Sequence, residues 1–265
     1  MQKERSQWLI PLVLAAVAAA ALWYYWAQKS KPEPESQPPA VVEAPAEVPG
    51  PLHPVEPLQE SDAGHAELIP LPPLDQSDEW FKLEIVNIFG ASIEAKLAES
   101  GMIEKVVATI DSLPHAHLAE RVRPITGLED HFLVDSQDGS GEFAINTGNY
   151  RRYDGLVEMV NNADLQQVAD IYHRFYPLFQ KAYVDLGYPD GYFNDRLVEV
   201  IDHLLETPEV RDPVALVRPH VLYEYRDPDL EALSSGQKLL LRMGGAHSAN
   251  IKERLREFRA LITTM

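Results

Sequence analysis

Residues 164–206 read DLQQVADIYHRFYPLFQKAYVDLGYPDGYFNDRLVEVIDHLLE, and their periodicity decides the fold class. Tyr172, Phe175, Tyr176, Phe179 and Tyr183 fall at i, i+3, i+4, i+7 and i+11, one aromatic stripe on a helix over about 164–186. Pro177 lies inside that stripe and predicts a kink there. After the Gly187–Gly191 break, Leu197, Val198, Ile201, Leu204 and Leu205 form the apolar face of a second helix over about 192–206. Two adjacent helices with strong apolar faces call for helix-on-helix packing.

Working outward, further helices are predicted near 79–88, 92–99, 103–113, 150–161, 227–243 and 247–262. On the first of these, Trp80, Leu83 and Val86 repeat at helical spacing. Ser234 and Gln237 form the pattern of a capping box. Phe132–Val134 and Phe143–Ile145 flank a Gln-Asp-Gly-Ser-Gly stretch and predict a β-hairpin. A further extended stretch spans Val214–Val217 and Val221–Tyr225. The expected class is mainly α, a multi-helix globular domain over 79–265 with a small β element.

The chain has 265 residues, 41 acidic against 23 basic, with a net charge of −18 and no cysteine. Such acidity argues against nucleic acid as a partner, and the missing cysteines exclude disulfides and thiolate chemistry. Residues 1–28 hold an apolar run: 8–27 read WLIPLVLAAVAAAALWYYWA, long enough for a bilayer core. Trp8 marks one end, and Trp23, Tyr24, Tyr25 and Trp26 mark the other. These residues predict a transmembrane anchor in the lipid bilayer, with cleaved signal peptide as the competing reading. The short basic N-terminus places it in the cytoplasm and the C-terminal domain outside. Residues 29–78 contain twelve of the 21 prolines and ten acids against two lysines. This composition predicts a disordered spacer, with a ligand for a proline-reading domain as the functional alternative.

Tyr192–Leu205 (YFNDRLVEVIDHLL) and Leu233–Gly244 (LSSGQKLLLRMG), together with Leu71–Asp75 (LPPLD) and Tyr176–Gln180 (YPLFQ), resemble an uncharacterised bacterial family, domain of unknown function 3014. The resemblance runs over roughly 71–262. It implies a bacterial, single-pass, membrane-anchored protein, hence an inner-membrane location with a periplasmic domain. It carries no activity and no assigned residues.

Several constellations invite chemistry. Asp195, Glu199, Asp202 and Glu206 share one helix face beside His203, half of what a helix-borne metal site needs. A solvated face is the simpler reading. Ser235-Gly-Gln-Lys238 matches the Ser-x-x-Lys nucleophile pattern, but its companion motifs are missing. Asp135, Asp138 and Glu142 surround a turn without the ligand spacing of a calcium loop. No catalytic set is complete, and no metal or cofactor is expected. Nine of the eleven tyrosines lie between Tyr150 and Tyr225. A groove near Pro177, formed by Tyr172, Tyr176, Tyr192, Asn194, Asp195, Arg196 and Glu199, is the candidate ligand or partner site. Lys252, Arg256 and Arg259 form a candidate basic patch near the C-terminus. A binding or scaffold domain engaging another envelope protein is the expected function. Recognition of cell-wall polysaccharide or peptide by the tyrosine-rich groove is the alternative.

Overall fold

The computed structural model describes residues 50–55, 70–127, 131–137 and 142–263. The proposed anchor at 8–27 and much of the 29–78 segment lie outside the described residues. Among the described residues, no helix is long and apolar enough to cross a membrane.

The fold is mainly helical, with one small antiparallel sheet. Helices α1 (Asp78–Phe89) and α2 (Met102–Ser112) precede the sheet strands β1 (Val134–Gln137) and β2 (Glu142–Ile145). Then come α3 (Gly148–Arg151), α4 (Asp154–Asn162), α5 (Leu165–Leu186) and α6 (Phe193–Leu205). Strands β3 (Ala215–Val217) and β4 (Glu224–Tyr225) follow, and α7 (Pro228–Glu231), α8 (Ser235–Met243) and α9 (Gly245–Thr263) close the chain.

The main core forms where α5 and α6 meet. Phe175 and Phe193 are fully buried, and Phe179 stacks on Phe193 at 5.6 Å with the rings 16° apart. Phe81 from α1, Met102, Ile103 and Val107 from α2, and Ile262 from α9 complete the cluster. The aromatic stripe is therefore core, as its spacing requires. Pro177 does not end α5, which runs unbroken through it. A proline removes one backbone bond from a helix. Buried Tyr172 and Phe175 before it, and Leu178, Phe179 and Tyr183 after it, hold both halves against the same cluster.

Among the described residues three helices begin with side-chain caps, and at α7 Asp227 accepts from the Asp229 N–H at 2.9 Å. Asp164 accepts from the N–H groups of Gln166 and Gln167 at α5, and the Ser234–Gln237 capping box is present at α8. The predicted hairpin forms with Val134 opposite Ile145. The separate extended stretch supplies β3 and β4, giving a sheet of order β1-β2-β3-β4. Leu216 on β3 faces Phe143 and Tyr225 across the sheet, over a second cluster that includes Ile145, Val214 and Leu241.

Four expectations need correction. The helix expected at 92–99 is a 3-10 turn, Ala91–Lys96. The segments expected as single helices at 150–161 and 227–243 are each divided, into α3 and α4 and into α7 and α8. On α1 the buried residue is Phe81, with Ile85 one turn on, whereas Trp80 and Leu83 are exposed. Trp80, Leu83 and Val86 and Phe81, Ile85 and Ile88 both repeat at helical spacing, so periodicity alone does not decide which face of α1 is buried. Finally, the packed domain does not begin at residue 79. Leu74 and Ser77 are buried, and residues 52, 53 and 55 also contact the helices, so described parts of the presumed spacer pack on the domain.

Gly244 joins α8 to α9 with φ of +84°, a conformation that L-residues rarely adopt. A Cβ there would lie 2.7 Å from the Tyr150 ring. Gly244→Ala is therefore expected to destabilise the domain by about 1–3 kcal/mol, combining strain and overpacking. Denaturant unfolding checks this; an unchanged midpoint would contradict the close approach.

Candidate functional site

The start of α6 is built without help from its own N-cap. Tyr192 supplies no side-chain bond there, and the orphan Phe193 N–H donates instead to Gln180 Oε1 at 2.8 Å. Gln180 Nε2 donates to Gly191 O at 2.7 Å, and Tyr176 Oη donates to Gln180 Oε1 at 3.1 Å. A glutamine on α5 thereby fixes where α6 begins.

Asn194, the next residue, is fully buried. Tyr172 Oη donates to its Oδ1 at 2.8 Å, and its Nδ2 donates to Ile262 O at 3.1 Å and to His53 O at 2.9 Å. Ile262 is in the last turn of α9, where a carbonyl lacks an intrahelical partner. One amide thus ties α5, the end of α9 and the segment 50–55 to α6. Burial pushes the Tyr172 phenol well above its ordinary pKa, so this donor stays protonated.

Asp195 completes the arrangement. Its Oδ2 accepts from Leu52 N at 2.9 Å and its Oδ1 from His53 N at 2.7 Å. Segment Pro51-Leu52-His53-Pro54 has two backbone N–H groups, because proline has none. Both are taken by this one carboxylate. Val55 packs on the main core, while the Leu52 side chain remains 81% exposed. Contacts are thus made chiefly to the main chain. Two charge-assisted bonds at about 1.5–3 kcal/mol each, and a neutral one at about 1 kcal/mol, favour docking. Ordering each residue of the strap costs roughly 1–2 kcal/mol, less where proline already restrains φ. The two sides are of the same order, a few kcal/mol each.

The other residues of the expected groove do not converge with these. Asn194 and Arg196 are two positions apart on α6 and project to different sides. Arg196 Nε donates to Asp111 Oδ1 and Nη2 to Asp111 O, both at 2.9 Å, and Nη1 reaches Glu199 Oε2 at 2.9 Å. Tyr188 Oη donates to Asp111 Oδ2 at 3.2 Å. This is a half-buried ionic joint between α2 and α6. Tyr172 is core, Tyr176 and Tyr192 are half-buried, and Glu199 is exposed. An open groove lined by Tyr172, Asn194 and Arg196 together is therefore not formed.

The acidic face of α6 is likewise not a bare solvated stripe. Asp195 holds the strap, Glu199 pairs with Arg196, and Asp202 binds Arg259 through both oxygens at 2.6 and 2.9 Å. Among the described residues, no three His, Asp or Glu side chains are grouped so as to hold a metal ion. Ser235 Oγ turns to the Leu113 carbonyl at 3.2 Å, while Lys238 Nζ binds Glu231, so the Ser-x-x-Lys spacing brings no nucleophile to an amine. Ser234 Oγ lies 2.9 Å from His203 Nε2, but it is buried and engaged as the α8 cap.

The candidate basic patch is also largely spent inside the domain. Arg259 is paired as described, and Lys252 is buried with Nζ donating to Thr207 O. Arg256 is exposed. Burial pushes the Lys252 ammonium below the ordinary lysine pKa, with Glu209 acting in the opposite direction. The unfolded chain then holds this proton to higher pH than the folded one, so Lys252 contributes more favourably as pH rises toward its unfolded value. The stability of the wild type relative to Lys252→Met is expected to increase between neutral pH and about 10, measured by denaturant unfolding. A pH-independent difference would contradict the depressed pKa.

Replacing Asn194 by alanine leaves the Tyr172 hydroxyl and the Ile262 carbonyl without this partner. A loss of about 2–4 kcal/mol is expected, read from the unfolding midpoint; a change under 0.5 kcal/mol would show that the amide is not a joint.

The residues that the sequence reading missed are Leu52, His53 and Val55. The available signal was the proline-flanked pair, whose two N–H groups sit in a segment with few other ways to bond.

Residues 102–259 match the model of a family described as a protein of unknown function (DUF3014). That span runs from the first residue of α2 to Arg259 on α9, and it includes Asn194 and Asp195 but not the strap. No curated protein and no solved structure matches the chain. The matched span covers more than half of the 265 residues and agrees with the YFNDRLVEVIDHLL and LSSGQKLLLRMG motifs; the chain belongs to the DUF3014 family.

Proposed function

We propose that the protein is a single-pass inner-membrane protein that presents its helical domain in the periplasm as a binding or scaffold module for another cell-envelope protein. Membrane placement rests on the uncharged, aromatic-flanked run at 8–27. Binding rather than chemistry is favoured by the way the polar side chains are used. Arg196, Asp202, Ser234, Lys238 and Lys252 each have a structural partner within the fold.

The observation that carries the reading is the loop between β3 and β4. Val221 and Leu222 are adjacent and remain 78% and 76% exposed. The loop is braced by its own residues: Arg218 Nε donates to Val221 O at 3.3 Å, and its guanidinium lies 5.3 Å from the Tyr223 ring centroid. Tyr223 in turn meets Phe143 edge-to-face at 5.2 Å. A braced loop that offers two aliphatic side chains to water suits a protein surface better than a glycan, which is met by exposed aromatic faces and polar groups. The polysaccharide reading loses its main support, since Tyr172 and Asn194 are buried and mutually bonded.

Two outcomes are expected. A reporter fused after Met265 is active only outside the cytoplasm, and activity inside would overturn the placement. A photo-crosslinking residue at position 220, on the same loop, captures a protein of defined size in intact cells, and Val221→Asp with Leu222→Asp reduces that capture at least about tenfold while leaving the unfolding midpoint unchanged. Capture of glycan fragments alone, or capture unaffected by the two substitutions, would contradict the reading.

A further inference from the structure

The strap's geometry is that of a ligand in a receptor. The receiving groups are a carboxylate with both oxygens turned to consecutive backbone N–H groups, and an amide donor turned to the carbonyl of the second residue. They belong to adjacent residues at the start of α6, Asn194 and Asp195. Both are positioned from behind: Asn194 by Tyr172 and Ile262, and the helix start by Gln180. The support of this site does not come from the strap. Its partners on the domain side lie in α5, α6 and α9.

We propose that Asn194 and Asp195 form a peptide-recognition site for a bent, proline-flanked segment, in which two consecutive N–H groups turn to one side. Residues 51–55 occupy it in cis, and a polypeptide partner presenting the same main-chain pattern displaces them. This goes beyond the β3–β4 loop and does not depend on it.

The pattern follows from the contacts. Two successive residues with free N–H groups are needed, because Asp195 accepts from both. A carbonyl on the second is needed by Asn194. Flanking prolines restrain φ and add no competing donors, which lowers the entropy lost on binding. An aliphatic residue two positions after that carbonyl fills the place of Val55 on the core. The first side chain of the pair is not read, since Leu52 points to solvent. The partner is therefore identified by the form Pro-x-x-Pro-aliphatic in an exposed stretch that bends at the two central residues.

Cis occupancy also makes the site a switch. A segment tethered to its own domain competes at an effective concentration in the millimolar range, so weak or scarce partners are excluded. Docking also fixes the chain to the domain at residues 51–55 rather than near residue 70.

The test uses the full chain. Leu52→Pro with His53→Pro removes both N–H groups and places ring carbons where Asp195 accepts. A labelled peptide of residues 49–56 is expected to bind this variant at least about tenfold more tightly than it binds the wild type, whose own strap competes. Adding Asp195→Ala to the variant abolishes binding, and so does methylating the two central amides of the peptide. Equal affinity of wild type and strap variant would overturn the proposal, as would binding that survives Asp195→Ala or amide methylation. If the double variant loses its unfolding transition, His53→Pro alone provides the same comparison with one bond removed.

Discussion

The buried amide of Asn194 is the constraint on which the rest depends. A primary amide buried without partners would be costly, so α5, α9 and the strap must each bring a group to it. The Tyr172 hydroxyl, the Ile262 carbonyl and the His53 carbonyl arrive at 2.8, 3.1 and 2.9 Å. Around that joint the aromatic layer of Phe175, Phe179, Tyr183 and Phe193 supplies apolar burial and holds α5 against α6. The layer provides most of the cohesion, and the amide specifies the register in which it forms.

The same joint accounts for how the domain meets the segment before it. Asp195 is next to Asn194 in sequence, so once the amide is placed, the carboxylate stands at the surface with both oxygens outward. Acidic side chains are favoured in the first turn of a helix by its dipole, and here that preference coincides with two backbone donors in need of a partner. Segment 51–55 is thereby held by main-chain bonds that place few demands on its side chains. The β3–β4 loop, by contrast, offers side chains and no free ladder. The two surfaces are suited to different contacts, one to a bent main-chain segment and the other to an apolar recess.

Much of the architecture was legible in the sequence because it is written in local periodicity. The stripe from Tyr172 to Tyr183, the apolar face from Leu197 to Leu205, the Ser234–Gln237 capping box and the hairpin between residues 134 and 145 all depend on near neighbours. The strap was not legible for the opposite reason. Its bonds join residues more than 140 positions apart, and they are made by the backbone, which carries no residue code. Composition therefore reported only a proline-rich acidic stretch. Of the residues expected to share a groove, Asn194 is buried and Asp195 meets the backbone of segment 51–55, whereas Arg196 turns to Asp111, because a separation of two residues turns side chains to different sides of a helix. Charge counting misled in a similar way at the C-terminus, where Lys252 and Arg259 are engaged by Thr207 and Asp202 rather than displayed.

What distinguishes this account is a strap that is docked and yet exchangeable, and amide hydrogen exchange at Leu52 and His53 in the intact chain measures that directly. The account predicts protection of both amides above coil rates, lost on replacing Asp195 by alanine, with an opening free energy well below that of core amides such as Phe175. Exchange at coil rates in the wild type would contradict docking, and protection equal to that of Phe175 would contradict exchangeability.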